Sequence, residues 1–166
     1  MKVKIGLTIF LLTGWLLCNC KKEGVKEETD ENNVIFSGIS RTNNFGVVLS
    51  ADTTDWKFND IWKPQESSLF TSNHQSDCKM AFNYRLTSFP NPAKDIVTLN
   101  PSLPVSARIE LRVVDQNFNK LFSLDSLRGP IQIRVSEWGI KGIVRVYYKF
   151  IDNNCEFKGH GDILLE

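Results

Sequence analysis

Apolar and polar residues alternate along most of the second half of the chain. The clearest alternation covers residues 80–86, 105–113, 131–135 and 144–150, and a shorter apolar run lies at 96–99. A period of two indicates strands with one buried face and one exposed face. Turn-forming Gly, Pro, Asn and Asp residues separate these segments. The pattern therefore predicts an all-β fold, an antiparallel immunoglobulin-like β-sandwich in which each sheet buries one side.

The N-terminal half of the predicted body is less regular. Short apolar runs at 34–36 and 46–49 predict two strands, separated by a polar turn. Pro64 suits the first position of a helix, and Glu66 suits its first turn, where the helix dipole favours an acid. We expect a short helix from Pro64 to Phe70, with Leu69 and Phe70 packing inward. Residues 34–80 are thus predicted to pack on a sandwich formed by residues 81–166.

The first twenty residues have the pattern of an export signal. Lys2 and Lys4 precede an apolar run, 5–17, that is short for a membrane-spanning helix. The run ends in Leu-Cys-Asn-Cys-Lys-Lys-Glu, which resembles a bacterial lipoprotein lipobox, and the Cys-Lys-Lys-Glu string is similar to that of Bacteroidota-type lipoproteins. The resemblance implies a signal peptide at 1–19 and a Cys20 thiol acylated with a fatty acid such as palmitate, with Cys18 as the alternative.

Residues 20–33 are predicted to be a flexible acidic tether. After the cysteine they contain three lysines, five acids and one aliphatic residue, Val25. Such a composition cannot bury enough apolar surface to fold. Together with the lipobox resemblance, this implies an outer-membrane lipoprotein, for which the cell surface is a further candidate location.

The string Phe-Pro-Asn-Pro-Ala-Lys-Asp, 89–95, is the most specific motif of the body. Its Pro90, Asn91, Pro92 and Asp95 resemble the opening of the type A C-terminal sorting domain of the type IX secretion system. The resemblance extends over 89–166 and implies a β-sandwich with a sorting role. A purely structural alternative is a stiff corner at the start of the sandwich. Proline restricts its own φ and the conformation of the preceding residue, and Asp95 can accept hydrogen bonds from nearby backbone amides.

Two cysteines fall within the predicted body. In an oxidising compartment Cys78 and Cys155 are expected to form a disulfide, with two free thiols as the alternative. Neither belongs to a Cys-x-x-Cys pair, which argues against zinc.

The sequence contains few candidates for catalysis. His160 and Asp162, in Gly-His-Gly-Asp, have the residue types of a metal ligand pair or of a base with its orienting acid. The alternative is a glycine turn before the last strand, in which Asp162 bonds local backbone. His74 lies in a polar stretch, and no nucleophile elbow, phosphate loop or zinc-protease motif occurs. We therefore predict no enzyme activity, no cofactor and no metal.

Trp56 and Trp62 are the candidate ligand-binding residues. They could form an aromatic platform for sugar rings, or they could be core residues of a layer packed on the sandwich. Asp52, Asp55 and Asp60 flank them, but their spacing does not match a calcium-binding loop.

The balance of charge narrows the choice of partners. The chain has twenty basic and nineteen acidic side chains, so it has no net positive field that would attract nucleic acid. The sequence thus predicts a cell-envelope lipoprotein with a non-enzymatic structural or binding role at the outer membrane. Its expected partners are the membrane, through the lipid, and envelope proteins or glycans. The alternatives are a carbohydrate-binding surface module and a type IX secretion cargo or sorting-domain protein.

Overall fold

A computed structural model describes residues 34–36, 38–59, 61–72 and 74–166. The predicted signal peptide, Cys18, Cys20, the tether and Asp60 lie outside these residues. Within them, no helix is long and apolar enough to cross a membrane.

The described chain is built mainly of β-strands. The elements in chain order are β1 (Arg41–Thr42), β2 (Val48–Ser50), β3 (Lys57–Phe58), α1 (Pro64–Ser67), β4 (Arg85–Phe89), β5 (Ile96–Ser102), β6 (Arg108–Val114), β7 (Lys120–Leu127), β8 (Ile131–Arg134), a 3-10 helix (Val135–Trp138), β9 (Gly142–Asp152) and β10 (Cys155–Leu165).

Two antiparallel sheets pack face to face, which confirms the predicted all-β sandwich. One sheet has the order β3-β10-β9-β6-β7 and the other the order β4-β5-β8, while β1 and β2 form a separate hairpin. Among the seven strands from β4 to β10, the first, second and fifth form one sheet and the remaining four belong to the other. This division is that of an immunoglobulin-like sandwich, as the alternating pattern predicted.

The main core lies between the two sheets. The inward-facing side chains of β6 and β9 alternate along each strand and are almost fully shielded from solvent, as the period-two pattern requires. They pack with residues of β5 and β10 in one cluster, whose most buried members include Val97, Leu99, Ile109, Leu111, Val146, Tyr148, Phe150 and Ile163.

Several local predictions differ from the structure. The alternation at 80–84 is not a strand; β4 begins only at Arg85, and Met80 and Phe82 are partly exposed. The run at 34–36 has no strand either, because it packs as an irregular segment on the large sheet. Strand β7 was not predicted, since its apolar positions are diluted by Ser and Asp. Helix α1 ends at Ser67, although Phe70 is buried as expected.

The central strands of the large sheet, β6, β9 and β10, are buried on both faces, whereas one buried side was expected. Their outer face is covered by residues 34–36, 38–40, 52–55, 61–72 and 74–78, which we call the cover. Phe36, Trp62 and Phe70 of the cover pack with Val114 and Tyr147 of the sheet in a second, smaller core. The polar positions of β6, β9 and β10 therefore also lie in the interior, where charged groups require partners.

The predicted disulfide between Cys78 and Cys155 is present. It joins the end of the cover to the first residue of β10, with 77 residues of sequence separation. Two backbone hydrogen bonds of Gln75, to Asn154 and Glu156, hold the same contact. The cover is thus covalently fastened to the sheet.

Candidate functional site

Basic residues of the large sheet hold the cover in place. Arg112 donates from Nε to the carbonyl of Leu69 at 3.0 Å, and Lys149 donates to the carbonyl of Ser72 at 2.9 Å. Both cations also lie over the ring of Phe70, at 4.9 and 5.2 Å from its centroid. Cation–π contacts and hydrogen bonds to carbonyls therefore replace the water that these cations lose on burial.

Arg145 and Asp162 form the most buried ion pair of the described residues. Arg145 binds both carboxylate oxygens, at 2.6 and 2.7 Å, and the two side chains are 6% and 1% exposed. Arg145 also donates to the carbonyl of Ile35 and lies 4.5 Å from the ring centroid of Phe36. This pair thus connects β9, β10 and the first residues of the cover.

A cavity of about 500 Å³ opens beside this ion pair, between the cover and β9–β10. Its size is within the range of small-molecule sites. The polar groups of its lining are three carboxylates, a lysine, an arginine, a histidine, a threonine hydroxyl and an asparagine amide, and three aliphatic residues and a glycine complete it. The lining residues are Val34, Ile35, Gly38, Thr54, Asp55, Asn59, Ile61, Lys63, Glu66, Arg145, His160 and Asp162.

Asp55 joins three segments around the cavity through backbone amides. Its oxygens accept from the N–H groups of Ser40, Trp56 and Asp162, at 2.7, 3.1 and 2.8 Å. Burial raises the pKa of Asp55 to about 6, although these hydrogen bonds favour the ionised form. The carboxylate therefore fastens the cover to β10 from within the cavity wall.

Glu66 is the second acid in the wall. Its oxygens accept from the Tyr147 hydroxyl at 2.8 Å and from the backbone N–H of Lys63 at 2.7 Å. Burial, followed by the hydrogen bond to Glu66 and then the charge of Glu66, raises the pKa of Tyr147 well above its ordinary value. Because Arg145 binds both carboxylate oxygens of Asp162, all three acids of the cavity accept structural hydrogen bonds.

His160 lies in the middle of β10, opposite Lys57 of β3 and Tyr147 of β9. Its Nδ1 is buried and has no hydrogen-bond partner among the described residues. The base with an orienting acid considered from the sequence is not formed, because both oxygens of Asp162 bind Arg145. The described residues also contain no group of His, Cys, Asp and Glu suited to a metal ion.

We expect His160 to remain neutral in mildly acidic solution. Burial, followed by the charge of Arg145, lowers its pKa below the ordinary 6.5. As the pH falls below about 6.5, His160 binds a proton more readily in the unfolded chain than in the folded chain. Protonation of this group therefore lowers the free energy of unfolding. An NMR titration of the His160 ring signals tests this, with the urea-unfolded chain as the reference. An ordinary titration of His160 near pH 6.5 would contradict it.

The Gly-His-Gly-Asp string is not a turn, contrary to one expectation from the sequence. It lies within β10, and its glycines are required by close packing. A Cβ at Gly161 would overlap the Trp56 ring, and one at Gly159 would overlap the backbone oxygen of Lys57. Asp162 bonds Arg145 with its side chain instead of the local backbone.

The two tryptophans do not form an exposed platform for sugar rings. Trp62 is 8% exposed and packs against Phe70 and Tyr147, at 5.4 and 5.5 Å between ring centroids. Trp56 is partly buried and stacks at 6.3 Å on Tyr148, on the opposite face of the large sheet. The rings thus belong to different cores, which corrects the ligand-binding role considered for this pair and leaves the alternative, packing.

The Pro-Asn-Pro block is an internal junction of the body. Asn91 is 1% exposed, and its side-chain amide donates to the carbonyls of Ser40 and Asp162 and accepts from the N–H of Leu164. Its backbone exchanges two hydrogen bonds with Thr42. Pro90 and Pro92 flank this junction.

Asp95 closes the other end of the motif. Its carboxylate accepts from the Ser136 hydroxyl at 2.5 Å, and its backbone carbonyl accepts from the amides of Val135 and Ser136. The expected bonds from its carboxylate to nearby amides are not made. The motif thus links the cover, β10 and the 3-10 helix.

Sequence reasoning missed Arg145 and Glu66 as residues of the cavity, and Tyr147 as the partner of Glu66. In the sequence, Arg145 and Tyr147 occupy the polar positions of an alternating strand, which normally face water. Three aromatic residues between 34 and 70 (Phe36, Trp62 and Phe70) are a weak indication of a second layer. They do not show which face of the sheet that layer covers.

No protein-family model, curated protein or solved structure matches this chain.

Proposed function

We propose that the protein is a lipid-anchored component of the bacterial cell envelope whose folded body has a non-enzymatic structural or binding role at the outer membrane. The observation that carries this proposal is the N-terminal sequence: a positive start, a short apolar run and Cys20 followed by a charged tether. Several acyl chains on one cysteine would hold the body at the bilayer, because each buried methylene contributes roughly 0.8 kcal/mol.

The engagement of the cavity's acids supports a non-enzymatic body. A general acid or base must reach the proton that it transfers. Asp55 and Glu66 are held by hydrogen bonds that fasten the cover to the sheet, and the Asp162 carboxylate is held by Arg145 within the sheet. His160 is the remaining candidate, and it lacks a carboxylate to orient it.

The anchor is tested by growing cells with a clickable fatty acid. We expect label on the native chain and on a Cys18→Ser variant, but none on Cys20→Ser. Mass spectrometry of the purified native protein should show acyl mass on an N-terminal Cys20. Label on Cys20→Ser equal to that on the native chain would contradict the proposal, as would a turnover reaction that His160→Gln abolishes while the fold is retained.

The resemblance to a type IX sorting domain is interpreted here as a structural relationship. A sorting signal has to be presented as a unit, whereas the junction at Asn91 and the disulfide tie residues 89–166 to the cover. In a host with the type IX machinery, we therefore expect surface delivery to depend on Cys20 and to survive Asp95→Asn. Loss of delivery in a folded Asp95→Asn variant would favour the sorting role instead.

A further inference from the structure

The β1–β2 hairpin, residues 41–50, projects a group of apolar side chains into solvent. Phe45 at its tip is 87% exposed, and Val47, Val48 and Leu49 are 56%, 59% and 67% exposed. Neighbouring residues of a strand point to opposite faces, so both faces of the hairpin are apolar and open. Contiguous exposed apolar surface of this kind marks an interaction site.

The hairpin is rigidly built. The Asn43 side chain accepts from the N–H groups of Phe45 and Val47, at 2.9 and 3.0 Å, and closes the turn. At its base, Thr42 exchanges two backbone hydrogen bonds with Asn91 and donates its hydroxyl to the carbonyl of Ser88. The apolar tip is therefore presented in one orientation by the buried Pro-Asn-Pro junction.

The charge of this region selects the partner. No acidic residue occurs within the hairpin, and Arg41 is its one charged side chain; the nearest acid, Asp52, follows it and donates its backbone N–H to Ser40 Oγ. Arg41 is exposed at the base of the hairpin. An aromatic tip, aliphatic flanks and a cation at the base fit the order of acyl chains and anionic headgroups in a bilayer surface. A protein partner or second copy would require one complementary face, whereas this hairpin is apolar on both.

The position of the hairpin in the chain agrees with a bilayer. Cys20 lies 14 residues before Val34, and Val34 lies seven before Arg41. At about 3.5 Å per extended residue, these stretches span at most about 50 and 25 Å, so an acyl anchor keeps the hairpin within reach of the membrane. A lipid and an inserted loop together also provide the two signals that a stable, oriented attachment needs.

We propose that the apolar tip of hairpin 41–50 inserts into the bilayer interface and orients the body on the membrane. This inference rests on the proposed acyl anchor. Its partner is the lipid surface itself, recognised by apolar burial and by attraction of Arg41 to anionic headgroups. The cavity and the cover are then held on a body of fixed orientation.

The test uses the acylated chain in vesicles of phosphatidylethanolamine and phosphatidylglycerol. A fluorophore is attached to Val48→Cys or to the control Val105→Cys, and lipids carrying a shallow nitroxide quencher are added. Val105 is 92% exposed and follows the end of β5, whose first half pairs with Phe89, two residues before Asn91. We expect about a twofold or greater loss of fluorescence at position 48 and little at 105. Equal quenching at both positions, or none at 48, would overturn the insertion.

A second measurement separates this inference from the anchor. The mature chain with Cys20→Ser, which lacks the acylation site, is mixed with the same vesicles, with and without Phe45→Ser and Val48→Ser. Both side chains are exposed, so the fold should persist. We expect the two substitutions to weaken vesicle binding about tenfold or more. The control Val105→Ser should leave vesicle binding unchanged. If the native protein carries acyl mass but the serine substitutions do not reduce vesicle binding, the acyl-anchor proposal stands and the insertion proposal is overturned.

The same fluorophore identifies a different partner. A blue shift at position 48 that rises with protein concentration in the absence of vesicles would mean a second copy. A shift caused by solubilised envelope protein, and absent with pure lipid, would mean a protein partner. Either result would overturn the membrane proposal.

Discussion

Replacing Asp162 by Asn should lower the free energy of unfolding by about 3–5 kcal/mol. The change removes the negative charge that faces Arg145, while both side chains are at most 6% exposed. Arg145 would then be a buried cation without its ionic partner, and its hold on the carbonyl of Ile35 would weaken with it. Urea unfolding of the oxidised protein, followed by tryptophan fluorescence, measures this loss.

The control for this prediction is a solvent-exposed ion pair. Lys94 and Glu166 lie 3.8 Å apart with side chains 79% and 48% exposed, so Glu166→Gln should change stability by no more than about 0.5 kcal/mol. In addition, Arg145→Met combined with Asp162→Leu should cost less than the sum of its two single changes, because it leaves no unpaired charge. Similar losses in Asp162→Asn and Glu166→Gln would contradict the role given to the buried pair.

Replacing both Cys78 and Cys155 by Ser should lower the free energy of unfolding by about 4 kcal/mol. The bridge closes a long loop, with 77 residues of sequence separation, so its loss restores much chain entropy to the unfolded state. It also frees the end of the cover from β10. Urea unfolding with and without dithiothreitol measures the effect.

The reductant provides the control for the disulfide. Reduced native protein should unfold at nearly the same urea concentration as the double serine variant, and the variant itself should be insensitive to dithiothreitol. A native protein that unfolds identically in both redox states would contradict the predicted contribution. Hydrogen exchange should increase first at Gln75 and Glu156, whose backbone groups bond beside the bridge.

The sequence predicted well which positions of β6 and β9 face the main core. At 107–113 and 144–150 the alternation is complete, because each residue facing that core is apolar, whereas Val105 of the same pattern precedes β6 and is 92% exposed. It failed at 80–84, where Met80 and Phe82 alternate with Ala81 and Asn83 but have no neighbouring strand to pair with. Periodicity reports which residues could share a face; pairing depends on what the rest of the chain places beside them.

The candidate site was much less predictable. Asp162 and His160 were considered together because they are close in the chain, yet Asp162 pairs with Arg145, 17 residues away. Likewise, Asn91 was assigned to a corner, although its side chain binds the backbone of Ser40, Asp162 and Leu164. Long-range polar contacts of this kind leave no local periodic signal.

The amino-acid sequence alone determined the class of the body and the expectations of a disulfide between its two cysteines and of an N-terminal lipid, because each depends on local pattern or on residue count. The tertiary structure decided which polar faces are buried. Once the cover lies on the outer face of the large sheet, Arg112, Arg145 and Lys149 lose water and must bind carbonyls, rings and acids. The same side chain has different chemistry when it is buried, because it loses its water. Burial depends on how distant segments pack, which the local sequence does not specify.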